Sequence, residues 1–361
     1  MDEAPRSVGR RHFDRHIADE QLAELLAHLR ARGVPEAMIE REHDLTGLAA
    51  DVNIRGIERL TLREAAAEAG LDPEVARHVW HIVGVAVGDD DELAFSPEEV
   101  QVLHFYAAAG ELFGEAPIQQ ALRVIGSAFM RIAEAEVAVL RLTYEVPFLE
   151  SGGSDLELTD GYGRLSRLLL PEVDGVFHAL HRLHLSRASR RGWTVDEAST
   201  ATLARVAVGF ADLAGFTILS GRVSPGELAG IVDAFDEQVG EVVVTHGGHV
   251  VKLIGDEVMF AADRPADGLA IARQLAGGLT GPEGLPAIRV GLAAGEVLNR
   301  DGDYYGSVVN LAARLVVLAE PGEVLLDAAA AEAAPSEALE ALDPTEVKGF
   351  PDPVPVFRLR G

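Results

Sequence analysis

The chain has 361 residues, 48% of them apolar and 25% charged, which is enough for two domains with cores of their own. It holds no cysteine, which excludes disulfides and thiolate metal sites, and its 31 Lys and Arg against 58 Asp and Glu leave a net charge of −27. That balance argues against nucleic acid as a partner, since phosphate backbones are held by clustered cations. No apolar run is long enough to form a transmembrane segment, and Met1 to Arg6 lacks the basic and then apolar layout of a signal peptide, so a soluble, cytoplasmic protein is expected.

Residues 1–186 carry apolar positions at three- and four-residue spacing and are expected to be all-helical. Ile17, Leu22, Leu25, Leu26 and Leu29 form one stripe, ended by Gly33 and Pro35. Leu60 to Trp80 has the pattern of two short helices about a turn at Gly70, like a helix-turn-helix unit. Glu64, Glu68, Asp72 and Glu74 would face phosphates with negative charge, which favours a packing role over DNA recognition. After the acidic loop Asp89 to Glu92, Ser96 is placed as an N-cap with Pro97 at the first helical position and Glu99 closing a capping box. Gly114 to Tyr144 is a long apolar helix (Ile118, Leu122, Ile125, Phe129, Val137) that serves as core or as a dimer seam. Glu150 to Ser154 reads as a flexible break, and Leu165 to Leu185 as a further helix interrupted near Pro171. The basic run Arg187 to Trp193 opens a linker over 187–200, either a tether or a transmission element.

Ten of the twelve histidines (His12, His16, His28, His43, His78, His81, His104, His178, His181, His184) precede residue 200. Histidine changes charge near neutral pH, and the last three recur at three-residue spacing on one helix. They are either a proton-responsive patch or ordinary surface residues.

In the C-terminal half, His246 to Ala262 reads as strand, tight Gly255-Asp256 turn and strand, with Lys252 one step back from the tip. A lysine between Val251 and Leu253 requires a polar destination, because an unpaired buried charge costs several kcal/mol. Arg205 to Thr217 is another apolar strand, carrying Asp212 near its end and followed by a glycine turn. Two aspartates at neighbouring strand ends suit a hard cation such as Mg²⁺ or Mn²⁺, with substrate phosphates as further ligands.

These runs, Phe210 to Thr217 and Lys252 to Glu257, followed by Asp303 to Arg314 and Val347 to Gly349, resemble in content and order the signatures of the class III nucleotide cyclases. The resemblance covers 201–361 and implies an α+β, ferredoxin-like class III cyclase catalytic domain preceded by an all-α regulatory domain. It implies an adenylyl cyclase that converts ATP to 3′,5′-cyclic AMP and pyrophosphate. Asp212 and Asp256 would hold two Mg²⁺ or Mn²⁺ ions per active site, Asn310 would position the ribose, and Arg314 would stabilise the α-phosphate charge. Lys348 would contact the terminal phosphates. Lys252 and Asp303 would read adenine, where guanylyl members typically carry Glu and Cys. In this family the metal aspartates of one catalytic domain face the base and transition-state residues of another, so a homodimer through the catalytic domain is implied. The helical half resembles the regulatory domain of soluble actinobacterial adenylyl cyclases, among which regulation by pH has been described. Protons, an apolar small-molecule ligand in the helical core and a partner protein are the signals weighed for it. A degenerate, non-catalytic nucleotide-binding module is the alternative, and it would show a missing site residue.

Overall fold

A computed structural model describes residues 19–42, 45–195, 202–278 and 286–360, and the chain divides into two compact units, 1–185 and 186–361. His12, His16, His43 and Ile17 lie outside the described residues.

The first unit is helical: α1 (Asp19–Ala31), α2 (Glu36–Arg41), α3 (Leu45–Arg55), α4 (Leu62–Glu68), α5 (Pro73–Ile82), α6 (Val100–Phe113), α7 (Glu115–Leu140), α8 (Val146–Glu150) and α9 (Asp155–Ala188). The pair α4 and α5 forms as the sequence leads one to expect. Thr61 closes a capping box with Glu64, and Asp72 caps α5 through the Glu74 amide. Leu62, Ala66, Val79 and Trp80 of this pair are buried with Leu103 and Leu122, so its apolar surface is spent on a core.

Two local expectations are corrected, the start of α6 and the break at Pro171. Helix α6 starts at Val100, not at Pro97, because Glu99 accepts the Ser96 amide but turns its carboxylate to Arg55 as well, leaving half a capping box. Helix α9 runs unbroken through Pro171. A proline costs a helix one hydrogen bond and about 3 kcal/mol, and a helix of 34 residues has many other bonds to hold it. Helix α7 is only partly core: Ile118 and Leu122 are buried, while Phe129 is 50% exposed and Val137 is exposed too. A cavity of about 680 Å³ in this unit is lined by Leu48, Trp80 and Phe95 but equally by Arg55, Asp51 and Glu99, a mixed lining and not the apolar one expected for an apolar ligand.

The second unit is built on a sheet of nine strands among the described residues: β1 (Thr194–Val195), β2 (Thr202–Leu213), β3 (His249–Ile254), β4 (Glu257–Ala262), β5 (Ile288–Arg300), β6 (Asp303–Tyr305), β7 (Val324–Asp327), β8 (Leu339–Ala341) and β9 (Val356–Leu359). The order is β3-β4-β2-β5-β7-β9-β8, with β1 on β2 and β6 on β5, and only β5 and β7 pair in parallel. The helices are α10 (Phe216–Ser220), α11 (Pro225–Thr245), α12 (Pro265–Ala276), α13 (Ser307–Leu318) and α14 (Ala328–Ala331).

Helices α11, α12 and α14 cover one face of the sheet, burying Phe235, Val243, Ile271 and Leu275 on Ala207, Phe260 and Leu292. The other face receives α13, through Leu311, Ala312, Leu315 and Val316 on Val206, Phe210, Met259 and Ala293, with Val347 packed beside them. Strand β2 is central and covered on both faces, which is why it reads as a continuous apolar run. Every functional side chain described below projects from the α13 face or its margin. No helix among the described residues is long and apolar enough to cross a membrane.

Candidate active site

Asp212 is the last polar residue of β2 and is 8% exposed. It pairs in register with Glu257 on β4 and with Arg289 on β5. Asp256 sits at the β3–β4 turn, where Gly255 takes the left-handed φ of 67° that the first position of such a tight turn requires. The Leu213 amide donates to the Asp256 carbonyl at 3.2 Å, fixing the turn against the end of β2. The two carboxylates are therefore neighbours. Burial holds the Asp212 carboxyl above its ordinary range, Arg289 opposes that rise, and Asp256 adds to it. Glu257 is pushed up as well, by burial and then by Asp212 and Asp256.

The resident cation is Arg289, whose Nε and Nη2 both donate to Oδ2 of Asp212, at 2.7 and 2.5 Å. Its place was not anticipated. The signal was present, however: a lone arginine in the buried strand Ile288-Arg-Val-Gly291 needs a polar destination as much as Lys252 does.

Lys252 has its destination. Its Nζ lies 2.5 Å from Oδ2 of Asp303, and Oδ1 of Asp303 accepts the Tyr304 amide at 2.8 Å. Asp303 opens β6 after the Asp301-Gly302 turn that closes the β5–β6 hairpin. Asn310 and Arg314 lie four residues apart on α13, whose first residue follows Gly306. Both are exposed and pair with no described residue; Arg314 does not reach Glu320. Lys348 is exposed in the turn after buried Val347. The structure thus brings Asp212 and Asp256 together, and Lys252 and Asp303 together, and leaves Asn310, Arg314 and Lys348 turned to the surface.

An adenylate cyclase of Streptomyces coelicolor is 36% identical to this chain over 285 residues, which span 77% of the chain and 73% of that protein. One from Glutamicibacter nicotianae is 33% identical, over 83% of this chain and 78% of that protein. The chain belongs to the adenylate cyclases. The cyclase is also 29% identical to a pH-sensitive adenylate cyclase of Mycobacterium tuberculosis, over 83% of this chain and 78% of that one. No family model matches it. Among solved structures, the adenylyl cyclase CyaB from P. aeruginosa aligns with 44% of the cyclase and 95% of its own chain, at 25% identity and a TM-score of 0.37.

The donor set fits a hard divalent cation. Asp256 raises the proton affinity of its neighbour Asp212, and a third carboxylate, Glu257, adds negative charge that Arg289 opposes. Among the described residues no group of three or more His, Cys, Asp and Glu is placed to hold a metal, and Asp212 and Asp256 are the neighbouring carboxylates that could hold one.

Proposed function

We propose that this adenylate cyclase converts ATP to 3′,5′-cyclic AMP and pyrophosphate at two sites formed across a symmetric homodimer. The observation that carries this reading is the stranding of Asn310 and Arg314. Two polar side chains share one exposed helix face with no partner among the described residues, beside Val317, 59% exposed. The tip that bears Asp256 is likewise flanked by exposed Leu253 (51%) and Ile254. Apolar surface around two incomplete half-sites is what a self-complementary interface would bury.

In this reading Asp212 and Asp256 hold Mg²⁺ or Mn²⁺, which when bound neutralise phosphate charge and favour the deprotonated 3′ oxygen. Asn310 of the partner subunit orients the ribose, and Arg314 of the partner subunit donates to the α-phosphate oxygens as charge grows there. A bond forms from the 3′ oxygen to the α-phosphorus, while that to the oxygen bridging α and β breaks. The leaving pyrophosphate keeps the electron pair, and the hydroxyl proton passes to water. Lys348 steadies the terminal phosphates. Lys252 donates to a ring nitrogen of adenine and Asp303 accepts from its amino group. Guanine presents the reverse pattern and would leave both unpaired, so discrimination can be large. Before ATP arrives the two satisfy each other, which keeps them in place.

The helical unit regulates the reaction, and protons are the signal this reading favours, because His178, His181 and His184 lie exposed along α9. Cyclic AMP formation from ATP and Mn²⁺ by the wild type, abolished in Asp256→Ala, is the expected result. A wild type that binds ATP and makes no cyclic AMP would return the non-catalytic module.

A further inference from the structure

The Lys252–Asp303 contact has a second rung beside it. In a regular strand, residues three apart point to opposite faces, yet His249 and Lys252 both meet side chains of β6. The reason is a bulge in β3: His249 stands opposite Ala261, Val250 opposite Phe260 and Lys252 opposite Met259, so Val251 is the extra residue that shifts the alternation. Ala261 and Met259 belong to the α13 face of the sheet and Phe260 to the other. Strands β4, β2 and β5 lie between β3 and β6 in the sheet order, so both rungs are made by side chains and neither belongs to a backbone ladder.

ATP acts on the two rungs differently. Lys252 and Asp303 satisfy each other until they part to hydrogen-bond adenine, so their ion pair cannot fix their separation once ATP is bound. The rung beside them makes no such exchange. Tyr304 follows Asp303 directly, its amide donates to Oδ1 of Asp303 at 2.8 Å, and it is 5% exposed. Its hydroxyl lies 3.4 Å from Nε2 of His249, with the rings 6.0 Å apart and 61° from parallel, an edge contact. His249 is half-buried, and burial is the main reason its pKa falls to about 4, so at neutral pH the imidazole is neutral and shares one hydrogen bond with the phenol. The rung therefore ties β3 to β6 without a charge that would compete with Lys252 or Asp303 for the base. A lysine spans a range of gaps on its flexible stem, whereas two half-buried or buried rings meeting at an edge hold one.

We propose that His249 and Tyr304 are positioning residues for base recognition: their contact sets the gap between β3 and β6 and so holds Lys252 and Asp303 at the spacing that the donor and acceptor of adenine demand. This rests on the reading of Lys252 and Asp303 as the pair that contacts adenine. The two rings act through that pair and not on ATP itself.

The test is steady-state kinetics of the full-length chain with Mn²⁺, with ATP and GTP as competing substrates and a melting curve for each variant. Tyr304→Phe keeps the buried ring and removes the hydroxyl alone. It is expected to raise KM for ATP about three- to tenfold, the scale of one neutral hydrogen bond, and to lower the preference for ATP over GTP by a similar factor, with kcat changed less than about twofold. His249→Ala has at least as large an effect, and His249→Gln, whose amide can still bond the hydroxyl, restores part of it. The double variant Tyr304→Phe with His249→Ala is no worse than His249→Ala, because both remove one contact. A folded Tyr304→Phe whose KM and preference stay within about twofold of wild type, while Asp303→Ala loses both, overturns the role of the rung. A fall in kcat alone does the same, since it marks a merely structural contact. If Asp303→Ala itself keeps KM and preference, the base-reading assignment fails and the proposal falls with it.

Discussion

Gly291 is where the sheet and the helix that bears Asn310 and Arg314 come closest. A methyl group there would lie 2.2 Å from the Val316 amide nitrogen and 2.4 Å from the Ala312 carbonyl oxygen. Both are backbone atoms of α13 and cannot rotate aside. Ordinary contact begins near 3.4 Å, so Gly291→Ala must lift the helix by about 1 Å. Overpacking of this kind costs about 1–3 kcal/mol, and a 1 Å displacement of transition-state groups costs up to roughly a hundredfold in rate. Cyclic AMP formation at saturating ATP should therefore fall by about ten- to a hundredfold, with a melting point lower by several degrees. KM for ATP should move much less, because Lys252 and Asp303 stand on β3 and β6 and not on α13. A folded Gly291→Ala protein with kcat within twofold of wild type would refute the reasoning.

Three further outcomes follow from the same geometry. Arg289 offsets the carboxylates of Asp212, Asp256 and Glu257, so Arg289→Ala should melt lower without metal and gain more from added Mn²⁺ than the wild type does; equal metal-induced shifts would show that Arg289 does not balance that charge. His249 has a folded-state pKa near 4, below its unfolded value near 6.5, so the unfolded chain binds a proton that the folded one refuses. Its contribution is complete above pH 6.5 and is lost as pH falls towards 4, by at most about 3 kcal/mol, so the denaturation midpoint of His249→Gln should depend less on pH across that window than the wild type's; parallel curves would contradict this. Lowering pH from about 8 to about 6 should raise the activity of the full-length chain more than that of residues 200–361 alone, and identical profiles would remove protons as the signal.

The site was legible where chemistry conflicts with its surroundings. A lysine between Val251 and Leu253, and aspartates ending apolar strands, announced polar destinations, and Lys252 and Asp303 do meet. Arg289 was overlooked although the same conflict marks it. The bulge at Val251 has no local signature, being neither glycine nor proline, and it emerges only from the register of β3 on β4. In the helical unit the apolar periodicity located helices well, but it did not tell buried from exposed turns of α7, since both halves carry the same residue types. Pro171 misled because its cost is local while a long helix is held along its whole length.

The central claim is that each active site draws Asp256 from one subunit and Arg314 from the other. Co-expressing Asp256→Ala with Arg314→Ala in equal amounts tests it most directly. Each variant alone should make no cyclic AMP. In the mixture half the dimers are mixed, and one of their two sites is intact, so about a quarter of wild-type activity should return. A mixture as silent as its parents, with dimers formed, would contradict the account.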